Sequence, residues 1–178
     1  MRTVTLTVRT VALRLNNGTE VTIRRIRPDD KAMLAAAVER LSPRTARLRF
    51  LAPKRHLTTA EQRYLTEIDF VHHYALVAVQ ADDPRPLVGV ARWVRDTDDP
   101  EAAEIALLVS DRFQRQGLGI ALGKALKEAA RARGITRFTG TTLTENEGAL
   151  RLLAHLTDSL RTRVDGATYE VVAELAAA

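Results

Sequence analysis

The sequence predicts an α/β domain with a mixed, mostly antiparallel central sheet and flanking helices, and three observations carry that prediction. Three β-rich runs, Tyr74 to Val79, Leu87 to Val94 and Ala103 to Val109, follow one another across short turns at Asp82 to Pro86 and Asp96 to Pro100. That is the pattern of an antiparallel meander. The third run enters a glycine-bearing turn and then a helix whose Leu118, Leu122, Ala125, Leu126 and Ala129 recur at helical spacing up to a glycine C-cap, Gly134. A strand from Arg137 to Thr142 follows; a helical crossover joins it to the previous strand, so the two run parallel. At 178 residues and 46% hydrophobic content the chain is long enough to bury one core, and 1–178 is read as one domain, 1–18 being an N-terminal strand extension.

The remaining elements follow from local chemistry. Val4, Leu6 and Val8 alternate in one phase and Val11, Leu13 and Leu15 in the other, which demands a bulge near Arg9-Thr10 or two short strands. Asn16-Asn17-Gly18 is a hairpin turn leading to a return strand through Val21, Ile23 and Ile26. Asp29 or Asp30 can cap a helix carrying Met33, Leu34, Ala37, Val38 and Leu41. Ser42-Pro43 opens a second helix to about Leu51, before Pro53, and Thr58-x-x-Glu61 is a capping box for a third, to about Glu67. Tyr74 to Val79 reads as a strand buried on both faces, and Gly89 as a bulge or close approach. Thr144-x-x-Glu147 is a second capping box, for a helix with Leu150, Leu153 and Leu156 inward. Strands near Leu160 to Val164 and Tyr169 to Leu175 flank the Asp165-Gly166 turn, and the last alanines fray.

The turn Ser110-Asp111-Arg112-Phe113-Gln114-Arg115-Gln116-Gly117-Leu118-Gly119 joins strand to helix and has the makings of a phosphate cradle. Gly117 and Gly119 can take positive φ and let a ligand approach the backbone. The first N–H groups of the helix, including those of Leu118 and Ile120, have no intrahelical partner, and Arg112 and Arg115 add positive charge. Gly119 is followed by Ile120 and Ala121, so this is no Walker A loop, and two glycines late in the chain do not make a dinucleotide fingerprint. The plainer alternative is a strand-to-helix turn with glycines for geometry alone.

Gln114-x-x-Gly117-x-Gly119 resembles the Q/R-x-x-G-x-G/A pyrophosphate loop of the GCN5-related N-acetyltransferases (GNAT). The resemblance runs from about Val21 to Glu174 and takes in Arg27 to Asp30 and Glu145-Asn146. Within that superfamily, Leu41-Ser42-Pro43-Arg44 through Arg49-Phe50 and on to Tyr74-Ala75-Leu76-Val77-Ala78 is similar to bacterial Pat-type protein lysine acetyltransferases. The resemblance implies a GNAT fold with a splayed parallel strand pair and acetyl-CoA as acyl donor. Its pyrophosphate would lie on Gln114, Arg115, Gln116, Gly117, Leu118, Gly119 and Ile120, and its pantetheine arm along Leu107, Leu108 and Val109, with Asn146 bonding the arm or a water. Leu107 N–H would polarise the thioester carbonyl.

By the same resemblance Glu104 is the general base, which accepts a proton from an amine, most plausibly a protein lysine. Set in an apolar strand, it is expected to be buried and raised in pKa; the plainer reading is a solvent-facing glutamate. The tyrosine that often supplies a general acid is Leu153 here, which leaves Tyr169 as a weak substitute. Pat-type enzymes often carry a further regulatory domain, for which this chain has no room. A small-molecule N-acyltransferase and a non-catalytic acyl-CoA-binding domain are the competing functions, and a homodimer is left open.

Composition narrows the partners. There is no cysteine, hence no disulfide, thiolate metal site or cysteine nucleophile. A net charge of +5 is dispersed, and aromatics at 4% form no stacking platform, so no nucleic acid is expected; the basic bias suits an anionic carrier. Apolar runs are too short to span a membrane, and threonines 3, 5, 7 and 10 interrupt any signal-peptide core, so the expected location is cytoplasmic. Adjacent His72 and His73 cannot easily share a metal, and no metal site is expected; Asp96, Asp98, Asp99 and Glu101 form either an acidic rim or a solvated turn.

Overall fold

The structure is a computed structural model that describes residues 10–175. The strand expected from Val4, Leu6 and Val8 and the terminal alanines lie outside the described residues. Strands β1 (Val11–Arg14), β2 (Glu20–Arg25), β3 (His73–Gln80), β4 (Leu87–Arg95), β5 (Ala102–Val109), β6 (Arg137–Leu143), β7 (Ser159–Asp165) and β8 (Thr168–Glu174) form one sheet in the order β1-β2-β3-β4-β5-β6-β8-β7. Every neighbouring pair is antiparallel except β5 with β6, which is parallel as the helical crossover predicts. No helix among the described residues is long and apolar enough to cross a membrane.

Helices α1 (Lys31–Glu39), α2 (Pro43–Phe50) and α3 (Thr59–Thr66) cover one face of the sheet, and α4 (Leu118–Arg131) and α5 (Glu147–Leu156) the other. Because β3 and β4 are covered on both sides, their side chains are buried regardless of alternation, Tyr74 to Ala78 completely. On the α4 face Tyr74 and Trp93 stack at 5.5 Å with Leu118, Leu122 and Leu126 in the same core. Gly89 meets both of its expected roles: the register shifts opposite it, between Ala78 and Val79, and a Cβ there would lie 2.7 Å from Leu122 Cδ1.

Of the four helix caps the sequence predicts, two form and two do not. The Ser42 cap and the Thr58/Glu61 box form as expected. Neither Asp29 nor Asp30 caps α1 through its side chain: the Asp30 carboxylate receives both Arg24 Nη1 and Nη2 at 2.8 Å and the Arg27 N–H at 2.8 Å. The two-pronged guanidinium bond and the Arg27 N–H occupy the carboxylate and turn it away from the first turn of α1. The α5 cap is Asn146, whose Oδ1 accepts from Ala149 N–H at 3.2 Å, and not Thr144. Thr144 N–H continues the β6 pairing by donating to Ala167 O, which moves the start of the helix two residues on.

Candidate active site

Strands β5 and β6 pair only through Ala102–Glu104 and Arg137–Thr139; beyond that they diverge. The opening is a cleft of about 590 Å³ bounded by β5, β6, α2 and α5. Its walls include the sequence-predicted Glu104, Leu107, Leu108, Val109, Gln114, Arg115, Gly119 and Asn146. Gln116, Gly117, Leu118 and Ile120 stand outside its walls, and the Leu118 side chain is wholly buried in the core. Leu118 can therefore serve a ligand only through its backbone.

The open edge of β5 can be read from its hydrogen bonds. Ser110 N–H donates to Val88 O at 3.0 Å, so Ser110 and, in alternation, Leu108 and Ala106 turn their backbone groups toward β4. Ile105, Leu107 and Val109 therefore turn theirs into the gap, where Gln114 Nε2 donates to Val109 O at 3.1 Å. Of the three residues expected to bind a pantetheine arm, Leu107 and Val109 offer backbone groups, while Leu108 lends only its side chain.

At the head of α4 none of the backbone N–H groups from Arg115 to Ile120 has a hydrogen-bond partner among the described residues. Gly117 takes φ +88°, but the second positive φ of the loop belongs to Arg115 at +57°, not to Gly119, which is helical. Gly119 instead provides room: a Cβ there would reach the Leu107, Val109 and Leu152 side chains at 3.7–3.9 Å. The loop is tied to the first turn of α2. The Asp111 carboxylate accepts from Ser42 N–H at 3.0 Å, Ser42 Oγ at 2.6 Å and Thr45 Oγ1 at 2.6 Å, and Gln114 Nε2 reaches Thr45 Oγ1 at 3.1 Å. Partial burial opposes ionisation of Asp111, but the Ser42 and Thr45 bonds prevail and hold its carboxyl below the usual range.

Glu104 is exposed, so the burial expected of it is not found. It is nonetheless the only carboxylate lining the cleft among the described residues, and it acts electrostatically on Arg49, from the last turn of α2, which lines the same cleft. Burial lowers the Arg49 guanidinium from its ordinary value, with Glu104 pulling the other way. Behind Arg49 lies Arg92, 6% exposed, pushed down to about 9 by burial and by Arg49.

Arg49, Arg92 and Thr142 were missed by the sequence reading. Thr142 lines the cleft, is 7% exposed, and its hydroxyl has no hydrogen-bond partner among the described residues. Alternation along its strand marked it only as one more β residue. Leu153 and Leu152 supply apolar wall from α5, and Tyr169, the cross-strand neighbour of Thr142, does not itself border the cleft. The acidic run is no rim. Asp96 caps its own turn, receiving Asp98 N–H at 2.8 Å, and Asp99 and Glu101 pair with Arg137.

Comparison with known proteins agrees with this geometry. Acetyltransferase Pat of Mycolicibacterium smegmatis is 27% identical over 146 residues, 82% of this chain and 43% of that protein. Acetyltransferase PA5475 of Pseudomonas aeruginosa is 31% identical over 121 residues, 67% of this chain and 64% of that one. The chain thus spans less than two thirds of either relative. The crystal structure of the GNAT domain of S. lividans PAT superposes with a TM-score of 0.82 at 24% identity, over 93% of this chain and 97% of that chain. The profile of the acetyltransferase (GNAT) family matches residues 42–157, a span that takes in α2, the diverging strands, the loop of free N–H groups and α5. On that match the chain belongs to the acetyltransferase (GNAT) family.

Proposed function

We propose that this domain is an acetyl-CoA-dependent N-acetyltransferase that transfers an acetyl group directly to a primary amine, the side chain of a protein lysine, with Glu104 as proton acceptor. The observation that carries the reading is the meeting, in one cleft, of unpartnered N–H groups, an open strand edge and a lone carboxylate. The donor fits those features in order. The diphosphate suits the N–H groups from Arg115 to Ile120 at the positive end of α4, with Arg115 beside them. The amides of the arm suit Leu107 and Val109, as an added strand would. The unpartnered Thr142 hydroxyl is a further polar group on the same path.

The acceptor amine, with a pKa of about 10.4 in lysine, arrives protonated and must lose a proton before its lone pair can attack. Glu104 takes that proton. The nitrogen then bonds to the thioester carbonyl carbon while Leu107 N–H holds the oxygen as negative charge develops. When the carbon–sulfur bond breaks, the thiolate takes the second amine proton or one from water, since Leu153 has none to give. Without cysteine the chain has no thiol to carry the acyl group, which favours direct transfer. The similarity to Pat-type enzymes favours lysine as the acceptor.

Calorimetry with acetyl-CoA and a thiol-release assay against lysine peptides and small amines test the reading. Glu104→Gln is expected to lower kcat by about 10²–10³-fold and leave acetyl-CoA affinity unchanged. Undiminished release by that variant would remove Glu104 from its role. Absence of binding heat would end the assignment; binding without release for any amine would leave a carrier-binding domain.

A further inference from the structure

Two arginines near Glu104, Arg49 and Arg92, form no ion pair among the described residues, and the proposed transfer chemistry does not use them. Arg92, on β4, points to the α1–α3 face of the sheet together with Glu104 and Ala106 of β5; it lies directly opposite Ala106 and diagonal to Glu104. Its Nη1 donates to Leu65 O at 3.1 Å and meets His73 Nε2 at 3.0 Å, and no other hydrogen bond engages its guanidinium among the described residues. Arg49 descends from α2 over the same spot. It lies against its neighbour Phe50, 5.0 Å from the ring centroid, and forms no hydrogen bond or ion pair among the described residues. Both arginines line a small cavity of about 20 Å³ that shares Arg49, Phe50, Ala106 and Leu108 with the main cleft.

Buried charges are ordinarily paired, because removing an ion from water is costly unless a counter-charge replaces the water. Here two like charges act on each other, and Glu104, the only acid lining the cleft among the described residues, acts on Arg49 without forming an ion pair with it. His73 supplies no negative charge. Packing accounts for one nitrogen of Arg92 and for the face of Arg49 that lies on Phe50, and leaves the rest of both guanidiniums without a hydrogen bond among the described residues.

The geometry points to an anion subsite, formed by Arg49 with Arg92 behind it, that binds a carboxylate carried by the acceptor while the acceptor's amine goes to Glu104. This inference rests on the acetyl-transfer reading and names its substrate class: an amine with a carboxylate a short distance away. The anion is placed by chemistry already on hand. A guanidinium receives a carboxylate through two parallel hydrogen bonds, and a zwitterion matches the Arg49 and Glu104 pair end for end. The subsite lies on the α2 side of the sheet, whereas the loop of free N–H groups heads α4, so the coenzyme's phosphates do not compete for it. The same carboxylate can belong to a free amino acid or to an acidic residue next to a lysine in a peptide.

The test compares ω-amino acids of increasing chain length with alkylamines of the same length, and lysine peptides flanked by Glu with the same peptides flanked by Gln. Thiol release gives kcat/KM for each. Calorimetry of 5-aminopentanoate and pentylamine on protein saturated with coenzyme A gives affinity without turnover. The carboxylated member of the preferred series is expected to lead by about tenfold to a hundredfold, the value of charge-assisted hydrogen bonds. That ratio should fall toward one in Arg49→Gln and be partly restored in Arg49→Lys, which keeps the charge but loses the fork. Arg49 is half-buried, so these variants test the subsite even where Arg92→Gln fails to fold. Preference within the free series or within the peptides identifies the source. A ratio near one in both measurements overturns the inference, as does a ratio that survives Arg49→Gln. No turnover with any amine, together with retained preference in calorimetry, would defeat the transfer reading and leave the subsite standing.

Discussion

Gly117 is where a single residue type does what no other can at low cost. Its φ of +88° turns the chain from the loop into α4, and no neighbouring atom comes closer than 3.9 Å to where a Cβ would be, so the constraint is conformational and not steric. Gly117→Ala is expected to lose about 1–2 kcal/mol to the left-handed backbone, a fall of roughly 2–8 °C in Tm for a domain of this size. If the loop relaxes to escape that strain, its N–H groups turn away from a common point, and acetyl-CoA affinity measured by calorimetry falls by about tenfold. Gly166→Ala is the matched control. It also sits at positive φ, +58°, with nothing within 4 Å of the added carbon, but in the β7–β8 turn, so it should lower Tm without touching acetyl-CoA affinity. Gly117 was legible in the sequence as a glycine with a conformational task. Gly119 was not, because its helical backbone leaves only the space it vacates beside Leu107 and Val109, and that space exists only once α4 lies across β5.

At the scale of elements, the cleft depends on α2 being fastened to the loop that follows β5. Asp111 makes the fastening: one carboxylate takes the Ser42 N–H and hydroxyl and the Thr45 hydroxyl, joining the first turn of α2 to a segment more than sixty residues later. Asp111→Ala is expected to lower Tm only slightly, since the carboxylate is exposed. It should weaken acetyl-CoA binding by about tenfold, because Thr45 and Gln114 lose a fixed position beside the loop. An unchanged affinity would show that the loop holds its shape without α2. The start of α2 was legible from Ser42-Pro43, as was the box at Thr58, because each cap is satisfied within four residues of chain. Asp30 and Thr144 misled for the opposite reason: their groups are claimed by Arg24 from β2 and by Ala167 beyond α5, partners that local sequence does not announce. The candidate site divides in the same way. The loop and Glu104 were legible through motif and resemblance, whereas Arg49 and Thr142 acquire meaning only from the packing of α2 over β5 and the divergence of β6.

For the whole molecule, the same buried charges that shape the cleft set how the fold responds to acid. His73, 8% exposed, is pushed down to about 4 by burial and by the Arg92 guanidinium, against the weaker pull of Asp69. Its neutral Nε2 is an acceptor beside Arg92; a protonated ring would set two positive groups 3.0 Å apart in the interior. A folded value below the unfolded 6.5 means that the unfolded chain binds the proton first as pH falls. Stability is therefore complete above pH 6.5 and drains between 6.5 and about 4, by about 3 kcal/mol at full extent. The carboxylates act later. Glu61, held down to about 2 by Lys54 and the Thr58 cap, and Asp30, held down by Arg24 and Arg27 against the effect of its own burial, keep their contribution until pH falls below their ordinary values near 4. Urea midpoints measured from pH 8 to pH 3 should accordingly fall in two stages, a one-proton slope followed by a steeper one. His73→Gln keeps a hydrogen-bonding side chain near Arg92 without a titrating ring, so it should flatten the first stage and leave the second in place. A first stage that persists in that variant would assign the early loss to another group and leave the buried histidine a spectator.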